Sequence, residues 1–236
     1  LDWYAKTEDA NDVEAQVRAA LIPAKLGDVD RAREIVQQLR DQSPGNAEGL
    51  YLVEAEILEE VGRPDQVLGV YEAALAAFPD SAELRYARAM YAVKGDLLDL
   101  AELDLRAIID SNPDHADALN ALGYTLADRT DRLEEARELI EKAHALKPDE
   151  PAILDSMGWV QYRLGNLEVA LDYLRRALDA MSDGEIAAHL GEVLWAMGRR
   201  DEAWQVWEAA LEDHPEHDYL NKVVSRYRLT RVQTAP

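Results

Sequence analysis

The side chains most able to do chemistry in this sequence are five histidines and 47 carboxylates. Two of the histidines stand in the segment 213–218 (DHPEHD), a density of ligands that a metal ion could use. A closed metal site, however, needs four converging ligands, usually supplied by two separated pairs. The same kind of turn recurs as NPDHAD and KPDEPA. We therefore interpret these histidines as surface residues of a repeated turn and expect neither a metal nor a cofactor.

Catalysis has no better candidate. His189 and Glu192 lie three positions apart, but no second histidine completes the zinc-binding H-E-x-x-H motif. Acids adjacent in sequence, such as Glu59 and Glu60, would point about 100° apart on a helix and could not act together as a catalytic pair. We interpret them as solvated surface residues. The sequence also lacks a nucleophile elbow, a phosphate-binding loop and a dinucleotide fingerprint. We predict a chain that is not an enzyme.

The composition narrows the class of partner. The chain carries 25 basic against 47 acidic residues, a formal charge of −22, and has no cysteine. Nucleic acids and anionic lipid surfaces are bound by clustered Lys and Arg, so both are disfavoured. The missing cysteines exclude disulfides, zinc ribbons and thiol nucleophiles. No apolar run approaches the ~18 residues of a membrane span.

The elements that position these side chains are predicted by a repeat. Proline closes most repeats, glycine stands at the alternate turns, and a small residue lies inside the second half of each repeat. The prolines are Pro44, Pro79, Pro113, Pro148 and Pro215, the glycines Gly27, Gly62, Gly95, Gly165 and Gly198, and the small residues Ala32, Val67, Ala101, Ala136, Ala170 and Ala203. Each series has a spacing of about 34 residues, or twice that where one member is replaced.

Each repeat contains two amphipathic helices, because apolar residues recur at three- and four-residue steps in both halves. Gly165 is expected to end a first helix in a left-handed conformation. Gly123, Gly158 and Gly191 are expected where the two helices of a repeat cross closely. Repeat 3 has Arg88 or Ala89 at that position, so its crossing should be wider. No segment shows a sustained alternation of apolar and polar residues, the pattern of a β-strand, so we predict no sheet.

These markers resemble the tetratricopeptide (TPR) pattern, a 34-residue helix–turn–helix with Leu-Gly in the first helix, Ala and an aromatic in the second, and a closing Pro. The matching residues are Met157-Gly158, Ala170, Leu174 and Ala177, then Leu190-Gly191, Ala203, Trp207, Ala210 and Pro215. The resemblance implies an all-α solenoid, a right-handed superhelix with the first helices on its concave side. We divide it into six repeats at 13–46, 47–81, 82–115, 116–150, 151–183 and 184–216.

The ends of the chain are interpreted from the same pattern. Residues 1–12 are expected to be the remnant of a preceding repeat helix cut from a longer protein, and residues 231–236 a tail. Residues 217–230 predict a final capping helix with a basic side, Lys222, Arg226 and Arg228. That side is either a solvated face or an anchor for the acidic body of the chain or an acidic partner.

First-helix positions five, nine, twelve and thirteen of a TPR point into the groove, which the resemblance makes the protein-binding surface. The candidate binding residues are Asn120, Tyr124, Asp155, Trp159, Tyr162, Arg163, Glu192 and Trp195, with Asp128 and Ala188 on the same face. Aromatics and Arg dominate binding hot spots. The alternative for Trp159 and Trp195 is packing in the core, where Trp207 is expected. The acids of repeat 2, Glu56, Glu59 and Glu60, are interpreted as solvated residues, with docking of a basic segment as the alternative. A carboxylate clamp for chaperone tails is disfavoured, since Lys25, Arg85 and Arg163 are the few inner cations.

Residues 116–216 also resemble, more narrowly, proteobacterial outer-membrane TPR lipoproteins, among them the partner of a carboxy-terminal processing protease. The strings DSMGWVQYRLG and HLGEVLWAMGRRDEAWQVWEAAL carry this likeness. It implies a periplasmic adaptor, on the periplasmic side of the outer membrane, that binds a serine protease and presents cell-wall enzymes for degradation. Alternatives are a scaffold for envelope, pilus or secretion-complex assembly, the substrate-selecting arm of an enzyme, and a cytoplasmic location.

Overall fold

The computed structural model describes residues 10–233, except for the side chains of residues 10–16, 19 and 229–233. Within that range the chain forms thirteen α-helices and no strand, which confirms the predicted all-α fold class. The helices are α1 (Ala10–Lys25), α2 (Val29–Gln42), α3 (Ala47–Glu60), α4 (Pro64–Ala77), α5 (Ala82–Lys94), α6 (Leu98–Ser111), α7 (Ala116–Arg129), α8 (Leu133–Leu146), α9 (Pro151–Arg163), α10 (Leu167–Ala180), α11 (Gly184–Ala196), α12 (Arg200–Asp213) and α13 (Asp218–Gln233).

The repeats begin where local signals start a helix. Helices α3, α5, α7, α9 and α11 begin at the first residues of predicted repeats 2 to 6. Pro151 opens α9, since its missing N–H would be unpaired there in any residue. Asp183 caps α11, its Oδ1 accepting from the N–H of Glu185 at 2.8 Å and of Ile186 at 3.2 Å. Local capping therefore sets the phase of the repeat.

The two predicted end segments lie partly in described helices. Residues 10–12 belong to α1, and residues 1–9 lie outside the described residues. The capping helix α13 covers Asp218–Gln233, which takes in the first three residues of the expected tail. Residues 234–236 lie outside the described residues.

The chain divides into an N-terminal unit, Leu1–Asp104, and a C-terminal unit, Leu105–Pro236. In the N-terminal unit, apolar clusters between α1 and α5 bury residues such as Leu50 and Leu58 completely. Buried carboxylates there are paired with arginines. Asp104, fully buried, receives bonds from Arg88 Nε at 2.6 Å and Nη2 at 2.7 Å. This pairing offsets the cost of taking a charge out of water.

In the C-terminal unit, α7 pairs with α8, α9 with α10 and α11 with α12, and α13 packs on α11 and α12. The expected close crossings are confirmed at the three glycines. A Cβ on Gly123 would lie 2.5 Å from Ile140 Cγ1, and one on Gly158 would lie 2.9 Å from Leu174 Cδ2 and nearer still to its Cγ. Only a residue without a Cβ lets these helices approach so closely.

In every repeat but the fourth, the turn between the two helices is closed by a left-handed residue. Gly27, Gly62, Gly165 and Gly198 have φ between 69° and 87°, as expected for glycines that end a helix. Gly95 is an exception, because its φ is −87° and Asp96 takes the left-handed conformation with φ 59°. Gly95 comes 33 residues after Gly62, so the repeat places the turn one residue later than the glycine. Aspartate tolerates this conformation better than most side chains.

Candidate functional site

The eight candidate binding residues lie on the first helices α7, α9 and α11 of the C-terminal unit. They divide into two groups by burial. Asp155, Trp159 and Glu192 are buried, with 6%, 6% and 4% exposure. The other five are partly exposed: Asn120, Tyr124, Tyr162, Arg163 and Trp195. The sequence pattern therefore places them on the same set of helices but overestimates how many reach the surface.

The centre of the site is a buried ion pair between α9 and α11. Nδ1 of His189, a fully buried residue, lies 2.9 Å from Oδ1 and 3.1 Å from Oδ2 of Asp155. The two residues are 34 positions apart, about one repeat. Stacking of consecutive repeats therefore brings them together, although they are distant in sequence.

Aromatic rings enclose the His189 imidazole. Trp159 stacks on it with ring centroids 4.1 Å apart and planes 23° apart. Tyr219 of α13 meets it edge-on at 5.5 Å. Tyr124 completes the enclosure, with its hydroxyl 3.5 Å from His189 Nε2 and donating a 2.6 Å hydrogen bond to Glu185 Oε1. Burial, together with the neighbouring Glu185 carboxylate, raises the pKa of Tyr124.

The electrostatics of this pocket favour a protonated histidine. Burial lowers the pKa of His189, but the Asp155 carboxylate, aided by Glu185 and Glu192, more than offsets it, and the pKa is raised. Because Tyr124 donates its proton to Glu185, its oxygen is free to accept from His189 Nε2–H. His189 therefore holds its proton more tightly than a free imidazole does, and its ring lies between Asp155 of α9 and Tyr124 of α7.

Glu192 does not point into open solvent as expected. Arg226 Nη2 forms an ion pair with its Oε1, and the Tyr227 hydroxyl donates to the same oxygen at 3.2 Å. Both partners lie on α13, which begins 34 residues after α11 and occupies the place of another first helix. Burial raises the pKa of Glu192, while Arg226 and His189 oppose the rise. Arg226 of the basic side of α13 is therefore an anchor to the acidic body of the chain, while Lys222 and Arg228 are exposed.

Trp195 belongs to an aromatic cluster at the same end. Its ring lies 4.9 Å from that of Tyr227 and 6.1 Å from that of Trp207, and Trp204 meets Trp207 at 5.3 Å. Trp207 is fully buried, which confirms its expected place in the core. The structure thus favours the core alternative for both Trp159 and Trp195, since each packs against rings of a neighbouring helix.

Arg163 has a structural task that the sequence pattern missed. The turn after α7 has no glycine, and Thr130 closes it in an extended conformation. Arg163 Nη1 donates to the carbonyl oxygens of Ala127 and, at 3.1 Å, Asp128, and Nη2 donates to that of Thr130 at 3.3 Å. The guanidinium therefore caps the carboxyl end of α7, whose last carbonyls have no partner within the helix.

Three polar atoms of the candidate site are buried without a hydrogen-bond partner inside the chain. They are Oδ1 of Asn120, Nε1 of Trp159 and Oε2 of Glu192, and only His144 Nε2 shares this property among the described side chains. Buried polar groups are normally hydrogen-bonded, so each of these unsatisfied atoms calls for an explanation. Tyr162 lies beside this group, half-buried, with its ring 5.2 Å from Trp159. The chain itself covers the one donor and the two acceptors, so a partner could pair with them only if the side chains over them moved aside.

The charged residues expected on the inner face of the N-terminal unit are exposed or bonded within the chain. Glu56 and Glu60 are exposed, and Glu59 Oε2 lies 3.5 Å from Lys94 Nζ of the same chain. Arg85, one of the few inner cations, donates to the Pro79 carbonyl at 2.8 Å.

In the described part of the chain, no cluster of three His, Cys, Asp or Glu residues could hold a metal ion. None of the helices described there combines the length and apolar character of a bilayer span.

Sequence reasoning missed His189, Glu185, Tyr219 and Tyr227 as members of the site. From the sequence, His189 suggests only a metal ligand with Glu192, its neighbour on the same helix. The available signal was the spacing, since Asp155 and His189, and also Glu192 and Arg226, are 34 residues apart and of opposite charge. In a repeat protein, residues one repeat length apart occupy equivalent positions in adjacent repeats and are therefore neighbours in space.

Comparisons with known proteins agree on the repeat. Family models described as tetratricopeptide repeat match residues 49–91 and 86–151. A TPR repeat-containing protein of Pseudomonas aeruginosa is 49% identical over 193 residues, which cover 81% of this chain and 33% of that protein. This chain thus spans about a third of the length of that relative.

Solved structures share the fold. A thermophilic TPR protein of Thermus thermophilus is 26% identical, with a TM-score of 0.66 over 75% of this chain and 97% of its own. PilW, a widely conserved type IV pilus biogenesis factor, has a TM-score of 0.67 at 17% identity, over 89% of this chain and 97% of its own. At that identity the likeness concerns the fold alone.

Proposed function

Because this chain belongs to the tetratricopeptide-repeat family, we propose that it is a non-catalytic module that binds other proteins through the first-helix face of its C-terminal unit. One observation carries the proposal. Asn120, Trp159 and Glu192, three of the predicted binding residues, each present a buried polar atom without a partner in the chain. A buried polar atom without a partner costs free energy, and a backbone or polar side chain of a partner would recover that cost once the side chains over these atoms moved aside.

The ion pair and the rings around it support this function by fixing the surface. His189 is enclosed by Asp155, Trp159, Tyr124 and Tyr219, so the side chains that border the face are held in one arrangement. A rigid surface loses less conformational entropy when a partner binds. Tyr162, partly exposed beside Trp159, is the aromatic that a partner would cover.

The finer proposal is a periplasmic adaptor at the outer membrane that binds a carboxy-terminal processing protease and brings cell-wall enzymes to it. The sequence resemblance of residues 116–216 supports it. An adaptor of this kind raises the local concentration of substrate at the protease and performs no bond cleavage itself. The partners are assigned to the full-length protein, of which this chain is proposed to be the binding part.

The experiment is affinity capture from periplasmic extract with the full-length protein and two matched variants. Asn120→Ala with Tyr162→Ala removes an orphaned acceptor and the partly exposed ring from the proposed face. Tyr173→Ala removes a ring that is also partly buried but lies on α10, against His144 and Arg176. We expect mass spectrometry to identify a processing serine protease with the wild-type protein and Tyr173→Ala, and several-fold less with the double variant.

Recovery of the protease in equal amounts with all three proteins would place binding elsewhere and refute the role of the face. Recovery of no processing protease and no cell-wall enzyme would refute the adaptor.

A scaffold for pilus or envelope assembly is the second candidate, supported by the shared fold of the pilus biogenesis factor. It predicts self-association, which light scattering detects, and capture of pilus or envelope assembly proteins. Cell fractionation of the full-length protein tests the proposed periplasmic location.

A further inference from the structure

Three leucines lie on the surface of the N-terminal unit, where α6 begins. Leu97, Leu100 and Leu103 follow one another at three-residue spacing, so each is a surface neighbour of the next along the start of α6 and the turn before it. Leu97 is 42% exposed and Leu103 62% exposed. Leu97 and Leu100, together with Leu68 of α4, line a cleft of about 540 Å³. We call these four residues the leucine patch.

The other repeats show that leucine is not required at two of these positions. The repeats are aligned on the small residue of each second helix, which is Ala101 in repeat 3. The residues equivalent to Leu97 are Asp28, Arg63, Arg132, Asn166 and Arg199. The residues equivalent to Leu103 are Glu34, Gly69, Glu138, Asp172 and Gln205. All five equivalents of Leu103 are exposed. The repeat fold therefore places these positions in solvent, and only repeat 3 fills both with large apolar side chains. A contiguous apolar patch that folding does not explain indicates an interaction surface.

The charges around the leucine patch select the kind of partner. Asp96 and Asp99 line the same cleft, and both are exposed. Lys94, the nearest cation along the chain, is engaged at 3.5 Å by Glu59. A second copy of this chain, with its formal charge of −22, would bring the same acids together around the patch. Like charges across an interface are unfavourable, whereas cations of a partner would be attracted.

We propose that the leucine patch binds a basic amphipathic helix of a partner protein. The apolar side of that helix would cover Leu97, Leu100 and Leu103, and its Lys or Arg side chains would reach Asp99. Binding of a helix through apolar residues at three- and four-residue spacing is a common recognition mode. The surface lies within the N-terminal unit and does not depend on the binding face proposed for the C-terminal unit.

The test uses the full chain and two synthetic peptides. One is an amphipathic helix of Leu and Lys about five turns long, and the other has Glu in place of every Lys. Leu97→Asn with Leu103→Gln introduces the residues that repeats 5 and 6 carry at these positions, which preserves the fold. Val169→Gln is the matched control, since Val169 is 46% exposed and repeat 2 has Gln66 at its position.

We expect fluorescence anisotropy to show the Lys peptide bound equally by the wild-type protein and Val169→Gln, and at least about tenfold more weakly by the double variant. The Glu peptide should not bind. Asp99→Asn, which leaves the leucines intact, should weaken the Lys peptide at low salt and reduce the salt dependence of its affinity.

Equal affinity of the Lys peptide for the wild-type protein and the double variant would overturn the proposal, since the attraction would then be that of the acidic chain in general. So would tighter binding of the Glu peptide. Concentration-dependent self-association that the double variant abolishes, measured by sedimentation, would assign the patch to a second copy and also refute the proposal.

Discussion

His189 and Asp155 form a buried ion pair, with 2.9 Å between Nδ1 and Oδ1, at two positions that are 34 residues apart. No other residue separates the two side chains, so the contact joins consecutive repeats directly. Glu192 and Arg226 form the next such link, again 34 residues apart. In this unit, successive repeats are therefore connected by charge as well as by apolar packing.

Breaking the first link should be costly. His189→Gln leaves the Asp155 carboxylate buried without a cation, and we expect the free energy of unfolding to fall by about 3 kcal/mol. Adding Asp155→Asn removes the stranded charge, so the double variant should be more stable than His189→Gln alone. Urea unfolding followed by circular dichroism measures both. Losses that simply add would show that the two side chains do not interact.

Stability should also depend on pH through this histidine. Burial lowers the pKa of His189, but Asp155 and nearby acids raise it above 6.5, so the folded protein holds the proton more tightly than the unfolded chain. The stabilisation is therefore complete below the unfolded pKa of about 6.5 and is lost as the pH rises through the folded value. Each unit of pKa increase corresponds to about 1.4 kcal/mol.

The measurement is the urea midpoint at a series of pH values upward from 6, compared with His189→Gln. The wild-type midpoint should fall more steeply than that of the variant. Equal slopes for the two proteins would contradict the assignment. Glu192, whose pKa is raised by burial, acts with the same sign from its ordinary value of 4.5 upward. Because His189 lowers the pKa of Glu192, the comparison with the variant reports His189 together with its effect on Glu192.

Two turn glycines should respond oppositely to alanine. Gly165 has φ 84°, where an L side chain is strained, and we expect Gly165→Ala to cost about 1 kcal/mol. Gly95 has φ −87°, and the nearest atom to an added Cβ, the Tyr91 carbonyl oxygen, is 3.5 Å away. Gly95→Ala should be neutral or stabilise by up to about 1 kcal/mol. Calorimetric melting temperatures distinguish them, and equal losses would disprove the shifted turn.

The close crossing in repeat 5 gives a third variant pair. Gly158→Ala would push its Cβ against the Leu174 side chain, at a cost of about 2 kcal/mol. Leu174→Ala in the same chain makes room, so the loss in the double variant should fall short of the sum of the two single losses by about 1 kcal/mol or more. Gly45→Ala is the control, because no atom lies within 4 Å of its added Cβ. Chemical denaturation of the four variants and the wild-type protein completes this comparison, and full additivity would exclude the overlap.

The fold was predictable because its signals are local and repeated. Pro151 and Asp183 start helices, Gly165 ends one, and the small residues at about 34-residue intervals fix the pairing of helices. These determinants act within a few residues of sequence or within one hairpin. The pattern failed where a single repeat departs from it, as at Gly95, where the phase of the repeat and not the glycine decides which residue is left-handed.

The candidate site was predictable only as far as the helices that carry it. Position within the first helix indicates which residues share a face, but contacts with the next repeat decide whether they stay exposed. Glu192 became buried because Arg226 and Tyr227 of α13 reach it. Arg163 is not free to bind a partner, because the turn after α7 lacks glycine and Arg163 donates hydrogen bonds to the carbonyl oxygens at that end of the helix. Both facts require pairing residues across about one repeat, a comparison that helix periodicity alone does not make.

The charged links between α9, α11 and α13 have a consequence for how this protein can change in length. If one 34-residue segment from Gly184 were deleted, α13 would follow α10 and Asp155 would meet Val223 where His189 now stands. A carboxylate facing valine in the interior would have no counter-charge. These repeats therefore cannot replace one another. Each carries charges that match those of its neighbours, so gain or loss of a whole repeat here would need compensating substitutions in both neighbours.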